Sequence, residues 1–111
     1  RGLNPYVGFI HHTEGNANLV FDFIELFRCQ AVDRIVISML QRKTQCRVTK
    51  DGVLDEDTKN SLAQNVMTRL YRYETYRGES RRLCDIIDIQ STALAETIMS
   101  GKKLMPYIAK W

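Results

Sequence analysis

Apolar residues recur at helical spacing over most of the chain. After Asn18, a residue suited to capping a helix, they fall at i, i+4, i+7 and i+8, at Leu19, Phe23, Leu26 and Phe27. The same face continues to Leu40, with a kink expected near Cys29-Gln30. The pattern predicts a long helical segment over residues 18–40, preceded by a loop from His11 to Asn18.

Residues that start helices mark two more segments. Asn4 and Pro5 suit the cap and the first position of a short helix at the beginning of the chain. Asp55 suits the cap of a long helix, which Gly78 is predicted to end. One face of that helix is apolar, formed by Leu62, Val66, Leu70 and Tyr73.

A last helix is predicted from Ser80 to Gly101, and Pro106 limits helix formation in the tail beyond it. Its inward residues are Leu83, Ile86, Ile87 and Leu94. Residues 41–52 are polar and basic and close on the turn dipeptide Asp51-Gly52. Signals for β-hairpins are weak, so the predicted fold class is all-α.

The composition is that of an ordinary globular domain, with 111 residues, 44% hydrophobic and 26% charged. No apolar run approaches the ~20 residues needed to cross a bilayer, so no membrane association is expected. Three cysteines without a CxxC pair are expected to be reduced thiols in a cytoplasmic protein. Because the chain begins with Arg1 rather than Met, we expect a fragment of a longer protein.

The charge is distributed unevenly along the chain. Residues 1–40 carry three basic and four acidic groups, whereas residues 41–111 carry thirteen basic and nine acidic groups. An acidic part beside a basic remainder suits a cation site next to a polyanion, and an ordinary solvated surface is the alternative.

Two carboxylates stand out in the long helical segment. Asp22 and Glu25 are spaced i, i+3, so both project from one side of the helix. Oxygen ligands of this type favour Mg²⁺ or Mn²⁺, and a neutral imidazole such as that of His11 can complete the coordination. We expect His11 and Glu25 to face one cleft. The alternative is a solvated acid pair with Arg28 as its partner.

Two sequence runs resemble motifs of Cas1, the CRISPR integrase. Residues 2–11, GLNPYVGFIH, are similar to the family signature Gly-Leu-Asp-Pro-Tyr-x-Gly-Phe-Leu-His. Residues 18–28, NLVFDFIELFR, resemble the family helix Ser-Leu-x-x-Asp-Leu-x-Glu-x-Phe-Arg, and Val32-Asp33-Arg34 continues the match. Gly52-Val53-Leu54 and the capped helix after it resemble the family's last third less specifically. The resemblance therefore covers the whole chain.

The resemblance implies a fold and a site. Residues 1–111 would be the C-terminal part of the helical catalytic domain of Cas1, truncated at its N-terminal side. His11 and Glu25 would be metal ligands, with Asp22 assisting, and the ion would be Mg²⁺ or Mn²⁺. The family's third ligand is a glutamate on an upstream helix, so this chain alone is expected to lack a complete site.

The resemblance also implies a reaction and its partners. Cas1 is a metal-dependent DNA integrase and endonuclease of CRISPR adaptation, in which a DNA 3′-hydroxyl attacks a phosphodiester of the repeat. The expected partners are spacer and repeat DNA, a second copy in a homodimer, and Cas2, in the cytoplasm of a prokaryote. Some family members are fused to a reverse transcriptase, which would precede this chain.

Two basic stretches are candidates for phosphate contact. Residues 41–50 contain no acid, and residues 69–82 interleave arginines with tyrosines. The candidate residues are Arg42, Lys43, Arg69, Arg72, Arg77, Arg81 and Arg82. The alternative is that the tyrosines lie partly in the core and the charges are solvated.

Two other functions stay open. One is a non-catalytic helical module that binds nucleic acid, in which the acid pair is only a solvated face. The other is a phosphohydrolase of the HD type, which needs an adjacent His-Asp pair that His11-His12 does not supply. Binding of a divalent ion by the full-length protein, lost on changing His11, separates the first of these from the integrase.

Overall fold

The computed structural model describes residues 3–109, so Gly2 of the motif and the starting Arg1 lie outside the described residues. Within residues 3–109, the fold comprises four α-helices, one π-helical segment and two short strands. In chain order they are α1 (Asn18–Arg28), the π-helical segment (Cys29–Asp33), α2 (Arg34–Gln41), α3 (Glu56–Tyr71), β1 (Tyr73–Tyr76), β2 (Glu79–Arg82) and α4 (Leu83–Ser100).

The long helical segment is continuous but contains a local change in winding. The helix begins at Asn18 and runs to Gln41, and the π-helical segment Cys29–Asp33 lies at the predicted kink. Within that segment, the main-chain carbonyl of the buried residue Gln30 accepts a hydrogen bond from Arg69 Nε at 3.1 Å. The widened turn is therefore tied to helix α3.

A β-hairpin replaces the predicted junction of two helices, so the all-α prediction is confirmed only in part. Helix α3 ends at Tyr71 rather than at Gly78, and β1 pairs antiparallel with β2 in the register Tyr73↔Arg82 and Tyr76↔Glu79. Arg77 and Gly78 form the turn, with φ angles of 51° and 84°. Two consecutive positive φ angles belong to the tight hairpin turns whose twist matches the strands. The fold is mainly helical with a two-stranded sheet.

The hairpin takes part in the core. Tyr76 is buried, and its hydroxyl accepts a hydrogen bond of 3.0 Å from Nε2 of Gln90, a fully buried residue of α4. The same Nε2 reaches the carbonyl of Met105 at 3.2 Å and so fastens the tail onto α4. The core cluster, joining α1, the π-helical segment, the hairpin and α4, consists of Phe27, Ala31, Tyr76, Leu83 and Ile86.

The helix boundaries confirm some predicted caps and correct others. The carboxylate of Asp55 accepts the Thr58 N–H at 2.8 Å, and Gly101 ends α4 at a φ of 69°, both as predicted. Asn4 starts no helix, because its side chain accepts the Tyr6 N–H at 3.0 Å and closes a turn. Asn18 lies inside α1, and its side chain does not cap the helix.

The structure corrects one predicted apolar face, that of α3, and confirms part of another, that of α4. Tyr73 lies on β1 with an exposed side chain rather than on the apolar face of α3. Leu83 and Ile86 are fully buried in α4, as predicted. Among residues 3–109, no helix combines the length and the apolar character that crossing a membrane requires.

Arg69 is the clearest target for a stability test, because it is only 4% exposed and joins three elements. It donates to Gln30 and forms an ion pair with Glu74 at 2.5 Å. Arg69→Met keeps most of the volume but leaves both acceptors without their donor. We expect a loss of about 2–4 kcal/mol in the free energy of unfolding, measured with urea.

The matched control is Arg81→Met, since Arg81 also pairs with a carboxylate but is exposed. Its partner is Glu79 at 2.6 Å, and side-chain exposures of 44% and 65% predict a loss below about 1 kcal/mol. Equal losses for the two variants would contradict the structural role assigned to Arg69.

Candidate functional site

The N-terminal loop folds over α1 and closes on the carboxylate of Asp22. One oxygen of that carboxylate accepts the main-chain N–H groups of Phe9 and of Ile10, the latter at 3.0 Å. The other oxygen accepts the His11 N–H at 3.0 Å and lies 2.6 Å from His11 Nδ1. Three backbone donors and one imidazole therefore converge on a single side chain.

This arrangement decides the ionisation of Asp22 and the tautomer of His11. Burial of the carboxylate favours its neutral form, but the Ile10 N–H, the His11 ring and the Phe9 N–H together hold the pKa of Asp22 well below its usual range. The ionised carboxylate only accepts hydrogen bonds, so His11 Nδ1 must carry the hydrogen. In a neutral imidazole, the lone pair is then on Nε2 and is available to a further partner.

Gly8 allows the loop to approach α1 this closely. A Cβ atom at this position would lie 2.5 Å from the His11 carbonyl oxygen and 2.9 Å from Asp22 Oδ2, so any side chain would displace the loop. The Asn18 side chain fixes the same loop at two points by donating to the carbonyls of Tyr6 at 3.1 Å and Thr13 at 3.0 Å. Sequence reasoning missed both roles, although the position of Gly8 inside the motif was the available signal.

Glu25 lies one helical turn beyond Asp22, in a different environment. Its carboxylate is exposed and accepts from Arg28 Nη1 at 3.2 Å, and Arg28 also lies 3.5 Å from Asp33. The two carboxylates raise the pKa of Arg28, with Glu25 the larger influence. An exposed ion pair of this kind contributes little to stability, so another cation can displace Arg28 at small cost.

The donor set fits part of a divalent-ion site. Nε2 of His11 and the carboxylate of Glu25 are the kinds of ligand that Mg²⁺ and Mn²⁺ accept. The carboxylate of Asp22 is used by the N–H groups of the loop. It also holds Nδ1 of the imidazole and so orients the ring, as carboxylates commonly do in metal sites. Within residues 3–109, no group of three or more His, Cys, Asp or Glu side chains lies in position to hold an ion.

The structure divides the seven basic candidates into three groups. Arg69 is corrected: it is buried, and its guanidinium is used by Gln30 and Glu74, which leaves it unavailable to DNA. Arg81 and Arg82 each pair with a neighbouring carboxylate, Glu79 and Asp85. Exposed positions without an ion pair among the described residues are Arg42, Lys43, Arg72 and Arg77.

Comparison with known proteins identifies the family. The family model described as CRISPR associated protein Cas1 matches residues 1–67, which is more than half of the chain. The chain therefore belongs to the Cas1 family, as the sequence motifs predicted. The loop carrying His11 and the helix carrying Asp22 and Glu25 both lie within the matched region.

Relatives from archaea and bacteria are similar over nearly the whole chain. The CRISPR-associated endonuclease Cas1 of Hyperthermus butylicus is 32% identical over 110 residues, 96% of this chain and 33% of that protein. One from Francisella tularensis subsp. novicida is 30% identical over 111 residues, 99% of this chain and 33% of that protein. The chain spans about a third of the length of these curated relatives.

Two solved structures share the fold. A casposase bound to integration product superposes with a TM-score of 0.77 at 22% identity, over 96% of this chain and 35% of that one. A Cas1 protein from Thermotoga maritima gives a TM-score of 0.78 at 18% identity, over 91% and 33% of the two chains. At these identities, the likeness concerns the fold.

The carboxylate of Asp22 can be tested through pH. Since its pKa is lower in the folded protein than the ordinary value of about 3.9, it stabilises the fold fully above that pH and progressively less as the pH falls. Asp22→Asn puts an NH₂ group opposite N–H donors in either orientation of the amide. We expect a lower midpoint of thermal unfolding at pH 7 and a smaller difference from wild type in acid.

Asp51→Asn is the control, because Asp51 is an exposed loop residue. It should change the midpoint little at any pH. A difference between wild type and Asp22→Asn that stays constant as the pH falls to about 3 would contradict the ionised, loop-bound carboxylate.

Proposed function

We propose that the protein is a metal-dependent DNA integrase and endonuclease of CRISPR adaptation, and that this chain supplies two of its metal ligands. The observation that carries the proposal is the carboxylate of Asp22 holding the His11 imidazole by Nδ1, which leaves Nε2 open to an ion. In the reaction, the 3′-hydroxyl of a short DNA segment attacks a phosphodiester of the CRISPR repeat. A new P–O bond forms, the P–O3′ bond of the repeat strand breaks, and the repeat's own 3′-hydroxyl leaves with a proton.

His11 and Glu25 are the proposed ligands for Mg²⁺ or Mn²⁺. Because Asp22 and Glu25 are spaced i, i+3 on α1, a ring held against Asp22 lies on the side of the helix that bears Glu25. The ion, when bound, polarises the scissile phosphate and stabilises the charge that develops on its oxygens. Asp22 is a positioning residue that fixes the ring orientation and hydrogen placement of His11.

The remaining ligands come from outside this chain or from water. Two protein donors do not complete the coordination of either ion, and Mg²⁺ usually keeps several waters. We propose that residues 1–111 correspond to the C-terminal part of the helical catalytic domain and that a glutamate upstream is the third protein ligand. This chain spans about a third of the length of its relatives, which supports a third ligand from another part of the protein.

DNA is the proposed substrate, and its backbone supplies most of the binding energy through phosphate contacts. Four exposed basic residues, Arg42, Lys43, Arg72 and Arg77, are available for such contacts. The curated relatives are named CRISPR-associated endonucleases, which supports chemistry at a nucleic-acid phosphodiester. A homodimer bound to Cas2 in a prokaryotic cytoplasm is the proposed assembly, with an upstream reverse transcriptase in a fused form.

His11→Ala in the full-length protein tests the proposal. We expect strand transfer to fall by more than about a hundredfold, because the ion loses a ligand at the reacting phosphate. Glu25→Gln should have a similar effect. DNA affinity should change by less than about twofold in both variants, because it comes from phosphate contacts distributed over the protein surface. Transfer is measured with labelled oligonucleotides and affinity by fluorescence anisotropy.

His12→Ala is the matched control, because His12 is the adjacent histidine and is exposed. It should transfer strands at the wild-type rate. Wild-type transfer by the His11→Ala variant, with its fold verified by circular dichroism, would overturn the metal-ligand assignment. DNA binding by a wild-type protein that shows no metal-dependent transfer would favour the non-catalytic module.

A further inference from the structure

A cleft of about 370 Å³ lies between α2 and α3. Its α2 side carries Arg34, Ser38 and Arg42 at i, i+4 and i+8 along the chain, and its α3 side carries Asn65, Arg69 and Arg72 at i, i+4 and i+7. Residues at these spacings form one face of a helix, so two polar faces meet here. Seven of the eight residues that line the cleft are polar or charged, with Ile35 as the exception, so the lining suits a polar or charged ligand.

The charge inside the cleft is positive. Four arginines line it, and no Asp or Glu does so among the described residues. Arg69 forms the floor, where Gln30 and Glu74 hold its guanidinium and neutralise its charge. Arg42 and Arg72 are exposed at the rim and form no ion pair with any residue in the range 3–109.

The position of these two arginines matters for the sign of the local field. Arg42 directly follows α2, and Arg72 directly follows α3. Each helix end contributes roughly half a negative charge, and each guanidinium contributes a full positive one. The arginines therefore outweigh the helix ends, and the rim attracts an anion.

We propose that the cleft between α2 and α3 seats one backbone phosphate of a DNA strand, held between Arg42 and Arg72. The planar guanidinium matches phosphate oxygens in pairs, which favours phosphate over a diffuse negative surface. The choice of DNA as the polyanion rests on the proposed function. Phosphate contacts position a strand without reading its bases, so the seat serves any sequence.

The test uses the full-length protein and an unrelated duplex in EDTA, so that binding is measured without catalysis. Arg42→Gln combined with Arg72→Gln should weaken binding roughly tenfold at low salt. The slope of log affinity against log salt should fall by about one, because both arginines hold the same phosphate. Lys102→Gln with Lys103→Gln removes the same charge from the exposed tail and should leave the slope unchanged.

Replacing both arginines with lysine separates the shape of the guanidinium from its charge. The Arg42→Lys, Arg72→Lys variant should keep most of the salt slope while still losing affinity, because the ammonium cannot bind phosphate in a paired geometry. Unfolding midpoints close to wild type should accompany both changes, since the side chains are exposed.

Three results would overturn the proposed phosphate site between Arg42 and Arg72. The first is a glutamine variant that binds within twofold of wild type with the same slope. The second is a fall of about two in the slope for the glutamine variant, together with full affinity of the lysine variant. That combination indicates two independent surface contacts. The third is competition by polyglutamate that is as strong as competition by DNA and is lost in the glutamine variant, which indicates an acidic protein partner.

The strand-transfer assay is run separately on the same proteins. A wild-type protein that binds DNA through Arg42 and Arg72 but transfers no strand supports the seat and contradicts the catalytic function. Active transfer by a glutamine variant with unchanged affinity and slope supports the catalytic function and overturns the seat.

Discussion

The carboxylate of Asp22 determines how the N-terminal loop and the first helix meet. Each of its oxygens accepts two hydrogen bonds from residues 9–11, and a buried ionised group needs all of them to offset its lost hydration. Those bonds require close approach of the loop, which in turn requires glycine at position 8. The orientation of His11 follows from the same contacts, because one of the four donors is its own ring nitrogen.

A second constraint acts around Arg69 and joins parts of the chain that are distant in sequence. Its guanidinium connects the π-helical segment, through Gln30, with the hairpin, through Glu74. A buried arginine with complete partners is costly to disturb, so it holds α3 at a defined distance from the helix that carries Glu25. The cleft beside it is a consequence of that packing, with Arg69 as its floor and Arg42 and Arg72 at its rim.

Local signals predicted α1, α4 and the start of α3, because caps and apolar spacing act within a few residues. They were wrong about a helix at Asn4 and about the end of α3 at Gly78. Asp55, Gly101 and the kink near Cys29 were all visible in the sequence. The hairpin was missed because the sequence around Tyr76 is also compatible with a helix. The contact that favours the strand, between its hydroxyl and Gln90, joins residues fourteen positions apart. The motif predicted His11, Asp22 and Glu25 as a set, but periodicity alone could not show which carboxylate the loop would occupy. The burial of Arg69 was also invisible, since its partners lie on other elements.

The central claim is that His11 and Glu25 face the ion while Asp22 stays with the loop. Anomalous scattering from crystals of the full-length protein containing Mn²⁺ tests it directly. The account predicts a peak bonded to His11 Nε2 and to the Glu25 carboxylate, with Asp22 still accepting the backbone N–H groups of residues 9–11. A peak bonded to Asp22, with the loop released from its carboxylate, would contradict the account.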